Sequence, residues 1–242
     1  MLFKGTNIKN PSKMSIVLIL VGFVTIFGGF YFFLSLAEEV LENESFQIDE
    51  VINQFIISIN APWLTNLMGY ITETGSVIWI TIGTIIVVVY LLFFSKKSNW
   101  MATFLIINMV GISGLTKGLK LLFERERPEV IAQYDGTGFS FPSGHSTGAV
   151  TFYGFMIYLI AVSRISRFWK WMINLFLGFW IVIVSLSRVV IGVHYITDII
   201  AGLIFGLAWL LVCIAALEVM LWRKRKDKKS DLILNERGFL KR

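Results

Sequence analysis

A chain of 242 residues that is 56% hydrophobic and 16% charged lies far from the soluble average of about 25% charged residues, which excludes an ordinary soluble domain. The net charge of +6 would suit a nucleic-acid partner only if it gathered on one surface, and it is instead dispersed between apolar runs. A single cysteine, Cys213, excludes an internal disulfide and a cysteine-based metal cluster, and its mid-span position reads as packing.

With a mean hydropathy of +0.73, the chain is predicted to be an all-α polytopic membrane protein with six transmembrane helices in one bundle. The apolar runs cover Ser15–Ala37, Gly75–Phe94, Trp100–Leu119, Gly148–Val162, Trp171–Leu186 and Ile196–Leu221. They are continuously apolar rather than alternating, which favours helices over a barrel. Ser35-Leu36-Ala37 before Glu38-Glu39 looks like a cleavage site. The run before it exceeds the roughly 7–15 residues of a signal peptide's apolar region, so the first span is read as retained.

Between the first two runs, Val51, Ile52, Phe55, Ile56 and Ile59 recur at helical spacing. They predict an extracytoplasmic amphipathic helix, capped by Asp49 and interrupted at Pro62-Trp63, with Trp63 and Tyr70 at headgroup level. Such a helix suits interfacial packing or a lid over a lateral lipid gate. A polar loop runs from Phe123 to Phe141, and Arg188–His194 forms a short turn between the last two spans. Gly144/Gly148 and Gly202/Gly206 are small-residue pairs that suit close helix packing or, less simply, dimerisation.

Charge sets the orientation. Lys4, Lys9 and Lys13, Lys96-Lys97, Arg164, Arg167 and Lys170, and the tail Arg223–Lys226 with Lys228-Lys229 all fall on one side of a six-span arrangement. Glu38, Glu39, Glu42, Glu44, Asp49 and Glu50 fall on the other. By the positive-inside rule both termini are cytoplasmic. The chain is expected to be one membrane domain over residues 1–242, with a basic tail at 223–242 that sets topology or touches anionic lipid.

Only two histidines occur, and each sits in a polar motif. Lys120-(x6)-Arg127-Pro128, Pro142-Ser143-Gly144-His145 and Ser187-Arg188-(x5)-His194-(x3)-Asp198 are all expected at the outer membrane edge. His194 and Asp198 are four apart, so on a helix the carboxylate can hold one ring nitrogen and leave the other to attack. His145 opens a helix after a turn, where backbone N–H groups favour a phosphate; Gly144 permits close backbone approach and Ser143 offers a hydroxyl. Lys120, Arg127 and Arg188 supply three cations on a face where topology alone would not put them. Arg125 reads mainly as an ion-pair partner of Glu124 or Glu126, a structural role that competes with phosphate binding at Arg127. A metallophosphatase would need several His/Asp/Glu ligands beyond two committed histidines, and the G-x4-G-K-[ST] loop of nucleotide hydrolases is missing.

In order and spacing, these motifs resemble the three-part pattern of the type 2 phosphatidic acid phosphatase family, which covers residues 120–198 here. The resemblance implies a metal-independent, cofactor-free hydrolase in the cell membrane with its site facing away from the cytoplasm. It assigns His194 as the nucleophile that forms a phosphohistidine, Asp198 as its orienting partner and His145 as the general acid and base. Lys120, Arg127, Ser143, Gly144 and Arg188 become phosphate ligands, with Pro128, Pro142 and Ser187 in support. Within the family the chain is similar to bacterial phosphatases of phosphatidylglycerophosphate and undecaprenyl pyrophosphate, so a lipid phosphate is the expected partner, with no nucleic acid and no obligate protein. A phosphatase of soluble sugar phosphates and a non-hydrolytic lipid or anion transporter are the alternatives.

Overall fold

Every regular element is helical among the residues that the structure, a computed structural model, describes: 13–42, 46–59, 61–128 and 138–239, with the backbone alone for 13–16, 18, 19 and 227–239. Lys4, Lys9 and Glu44 lie outside the described residues, as do the side chains of Lys13, Lys228 and Lys229. The helices are α1 (Lys13–Leu41), α2 (Gln47–Ile59), α3 (Pro62–Glu73), α4 (Val77–Val89), α5 (Trp100–Phe123), α6 (Gly144–Ala161), α7 (Arg167–Val190) and α8 (Ile196–Phe239). A π-helical turn, Tyr90–Phe94, extends α4.

Local chemistry explains the boundaries. Pro62 begins α3, where its missing N–H costs nothing. Ser76 and Ser143 cap α4 and α6 by accepting from Trp79 N and Ser146 N, at 3.5 and 3.4 Å. The second cap starts α6 four residues before the predicted apolar run, so His145 lies in its first turn. At the end of α7, Gly192 takes φ +73° and its N–H bonds the Val189 carbonyl at 2.9 Å, a left-handed turn that suits glycine.

α6 is the central helix, packed against α4, α5, α7 and α8. α1 lies along α8, and α3 along α7. Two polar crosslinks tie α6 to α5: Asn108 Nδ2 donates to the Thr151 carbonyl at 3.1 Å, and Thr116 Oγ1 to Thr147 Oγ1 at 3.2 Å. Hydrogen bonds of this kind hold helices together where lipid removes the hydrophobic drive. The glycine pair on α8 is a contact face, because a Cβ on Gly202 would sit 2.9 Å from the Ser143 carbonyl oxygen and one on Gly206 2.4 Å from Val150 Cγ1.

Among the described residues, five helical stretches are long and apolar enough to cross a membrane: Leu20–Leu41, Pro62–Phe94, Trp100–Phe123, Arg167–Val190 and Ile196–Lys226. The second of them includes α3, so Pro62-Trp63, expected as an interruption, begins a helix instead. Large apolar side chains such as Val24, Tyr31, Ile78, Phe93, Val110, Trp171 and Leu175 cover the outside of the bundle. A surface this apolar requires lipid. Two cores lie inside. Leu105, Phe155 and Leu217 belong to one, and Phe33, Ala37, Val40, Phe141 and Ala201 to the other, beneath the polar motifs.

α2 appears over the predicted residues, and its inward side combines Asp49, 4% exposed, with the half-buried Ile52 and Ile56, while Val51, Phe55 and Ile59 are exposed. Asp49 is therefore not a solvent-side cap of its own helix.

Candidate active site

The three motifs meet where α5 ends, α6 and α8 begin, and α7 turns into α8. His194 occupies that last turn, with its N–H and that of Val193 both directed at the Arg188 carbonyl, 3.3 and 3.1 Å away. Asp198 stands in the first turn of α8, where an acidic side chain meets the positive end of the helix. The predicted pair forms: His194 Nδ1 is 3.1 Å from Asp198 Oδ2, and the Tyr195 N–H donates to the same oxygen at 3.0 Å. With the proton on Nδ1, Nε2 keeps its lone pair.

That lone pair faces a cation. Arg127 Nη1 lies 3.2 Å from His194 Nε2 and donates to the Val193 carbonyl at 2.8 Å, while its Nε donates to the Gly138 carbonyl at 2.8 Å. Lys120, in the last turn of α5, donates to the Phe139 carbonyl. Arg188 is 3% exposed, and its Nη1 donates to Thr72 Oγ1 of α3 at 3.2 Å. His145 lies within electrostatic reach of Arg188, His194, Lys120 and Arg127. Its ring edge also packs near Gly75, where a Cβ would come within 3.4 Å of Cδ2.

The Pro-Ser-Gly turn is docked onto α8 by the Ser143 N–H, which donates to the Asp198 carbonyl at 3.1 Å. Above Gly144 the space is open: a Cβ there would meet nothing within 4 Å. The geometry thus leaves room for a phosphate-sized anion beside the N-terminus of α6. Ser187 is buried and bonds its own helix through the Val184 carbonyl at 2.6 Å, so it supports the α7 end rather than lining the opening. Pro128 and Pro142 are also buried, each next to a motif residue.

Burial pushes the His194 imidazole down to about 4 from an ordinary 6.5, against the pull of the Asp198 carboxylate; Arg127 and Arg188 push the same way. The ring is therefore neutral at physiological pH. A neutral imidazole with one nitrogen tethered and the other facing cations has the makings of a nucleophile toward an anionic centre.

Two features escaped the sequence reading. Arg125 does not pair with Glu124 or Glu126; it bridges Asp198 Oδ1 at 2.6 Å and Asp49 Oδ2 at 2.8 Å. The local acids point outward and are exposed, whereas the buried acids come from α2 and α8. Beside the site an apolar cavity of about 800 Å³ runs between α4, α5 and α6, from Lys120 and Gly144 down past Ile80, Met109 and Thr84 to Val88.

The chain is similar to known proteins over most of this helical bundle. The PAP2 superfamily model matches residues 100–220. Phosphatidylglycerophosphatase B of Bacillus subtilis (strain 168) is 33% identical over 180 residues, 74% of this chain and 87% of that protein. Undecaprenyl-diphosphatase of Sulfolobus acidocaldarius is 28% identical over 158 residues, 61% of this chain and 67% of that one. The crystal structure of a transmembrane PAP2-type phosphatidylglycerolphosphate phosphatase from Bacillus subtilis superposes with a TM-score of 0.73 at 29% identity, covering 81% of this chain and 96% of that one.

Proposed function

The chain belongs to the PAP2 superfamily, and from that footing we propose that it is a membrane lipid phosphate phosphatase acting on phosphatidylglycerophosphate, undecaprenyl pyrophosphate or both. The observation that carries the reading is the tethered His194 with its Nε2 3.2 Å from Arg127 Nη1, in a cluster that includes Lys120, Arg188 and His145.

In this reading Arg127, Arg188 and Lys120 hold the phosphoryl oxygens, with Ser143 and Gly144 at the helix end. Arg127 draws the phosphorus toward Nε2, the nitrogen it already covers. Nε2 attacks the terminal phosphorus, the bond from that phosphorus to the oxygen of the leaving group breaks, a lipid hydroxyl oxygen in a monoester and a phosphate oxygen in a pyrophosphate, and His145 delivers a proton to that oxygen. Asp198 stabilises the positive charge that develops on the His194 ring. Water then attacks the phosphohistidine, His145 takes its proton, the P–N bond breaks and phosphate leaves.

The apolar cavity supports a lipid substrate. It begins at Lys120 and Gly144 and follows α4–α6 in the direction a tail would take if the headgroup sat at the site. A soluble sugar phosphate would leave it unused. We take α6 as a sixth span: 18 residues rise about 27 Å, close to the hydrocarbon thickness of about 30 Å, and its neighbours rather than lipid cover its polar first half. Six spans put both termini in the cytoplasm and the site outside, with α2 lying along the outer surface.

Phosphate release by detergent-purified protein tests the reading. The panel comprises phosphatidylglycerophosphate, undecaprenyl pyrophosphate, phosphatidate and diacylglycerol pyrophosphate, with His194→Ala as the blank. Turnover of at least one lipid that vanishes in the variant is expected; full activity in His194→Ala would end the proposal.

A further inference from the structure

We propose that Asp49 and Arg125 are positioning residues for the His194–Asp198 pair, so that α2, remote in sequence from the three motifs, holds the nucleophile in register. The inference rests on His194 being the nucleophile. Asp198 has two carboxylate oxygens, and only Oδ2 serves the histidine. Oδ1 receives Arg125 Nη1 at 2.6 Å, which leaves the carboxylate no freedom to rotate away from the ring.

Arg125 is itself held on three sides. Its Nη2 donates to Asp49 Oδ2 at 2.8 Å, Nη1 donates to Thr197 Oγ1 at 2.8 Å, and the Phe46 and Tyr195 rings flank the guanidinium at 5.2 and 4.4 Å. Asp49 in turn accepts from Thr197 N at 3.0 Å and from Thr197 Oγ1 at 2.6 Å. It thus satisfies an N–H in the first turn of α8 that has no partner within its own helix. The lattice runs from Asp49 through Thr197 and Arg125 to Asp198 and His194. Fastening α2 alone would not require Arg125 to reach the oxygen of the carboxylate that holds the histidine.

Charge gives a readout that mere fastening would not move. His194 is faced by Asp198 on α8, Arg188 on α7, Arg127 on the segment after α5 and His145 on α6. Arg125 and Asp49 act on it through Asp198. Removing the Arg125 cation strengthens the Asp198 field at the ring and favours its protonation; removing the Asp49 anion does the opposite.

The test uses the full chain in detergent, with kcat, KM, apparent Tm and the pH dependence of kcat measured for Asp49→Asn and Arg125→Gln, and His194→Ala as the blank. Each variant is expected to lose about 10- to 100-fold in kcat, as second-layer partners of a functional histidine do. KM should stay within about twofold, since substrate contacts are untouched. The acid limb should move up in Arg125→Gln and down in Asp49→Asn. Native kcat in Asp49→Asn, or acid limbs that move together, would overturn the proposal. If either variant fails to fold, Thr197→Val, which removes one hydroxyl at nearly constant shape, decides: a kcat lowered at unchanged KM supports the lattice, and an unchanged kcat overturns it. Activity persisting in His194→Ala would instead overturn the nucleophile assignment.

Discussion

At the scale of the residue, the two histidines are held differently. His194 is tied by Asp198 Oδ2 and sits deep enough that burial holds it near 4. As pH falls below 6.5, the unfolded chain protonates this histidine, while the folded chain resists until about 4, so stability is lost across that window. The apparent Tm in detergent should therefore drop between those values by more in the native protein than in His194→Gln; equal drops would mean that His194 titrates normally. In the proposed mechanism His145 carries the proton, and its importance then depends on the leaving group. A monoester expels a poor alkoxide and a pyrophosphate expels phosphate, so His145→Ala should slow monoester hydrolysis by about 10²- to 10⁴-fold and pyrophosphate hydrolysis by less. Equal losses would mean either that His145 does not protonate the leaving group or that its service to the attacking water, common to both substrates, dominates. The His194–Asp198 pairing was legible because both residues lie within one turn of the same helix start. Asp49 was not, because its partners Arg125, Thr197 and Asp198 are brought to it only by the packing of α2 on the start of α8. A lone acid in an acidic stretch carries no signal of that.

At the scale of the element, the start of α6 is positioned by how closely α8 approaches it. Gly202 and Gly206 allow that approach, with Ser143 and Thr147 backbone atoms 2.9 and 3.1 Å from where their Cβ atoms would stand. Gly202→Ala should displace the Pro-Ser-Gly turn, lower kcat and cost about 1–3 kcal/mol of stability as overpacking. Gly178→Ala on α7 meets nothing within 4 Å and should raise Tm, by helix propensity worth up to about 1 kcal/mol. A lower Tm in both, or in neither, would contradict this account of the α6–α8 contact. The glycine pair was readable from spacing, and so were most apolar runs. α3 was not, because Pro62 can either end an element or begin one, and here it begins one. The length of α8 was also hidden: Lys, Arg and Glu after Leu221 favour helix as well as solvent, and no Gly or Pro stands between Leu221 and Gly238.

At the scale of the whole molecule, the account requires a protein with its site outside and no need for a metal. Single cysteines placed in a Cys213→Ala background at Glu39 and at Lys224 should react with a membrane-impermeant maleimide differently: Glu39→Cys in intact cells, Lys224→Cys only after lysis. The reverse pattern would invert the topology. Activity should survive excess chelator, because in the proposed mechanism Lys120, Arg127 and Arg188 supply the positive charge a metal would; strict dependence on an added divalent ion would contradict that. The expected orientation rests on the lysines and arginines between spans, whereas the apolar cavity was not legible at all, since its lining from Ile80 to Met109 reads in sequence as ordinary span. The central claim is that His194 carries the phosphoryl group. Its most direct test is rapid quenching of the purified protein during turnover of a phosphate-labelled lipid, followed by mass spectrometry of the peptide containing residue 194. The account predicts an acid-labile, base-stable phosphate on His194 that is absent from His194→Ala; turnover with label on another residue, or on none, would contradict it.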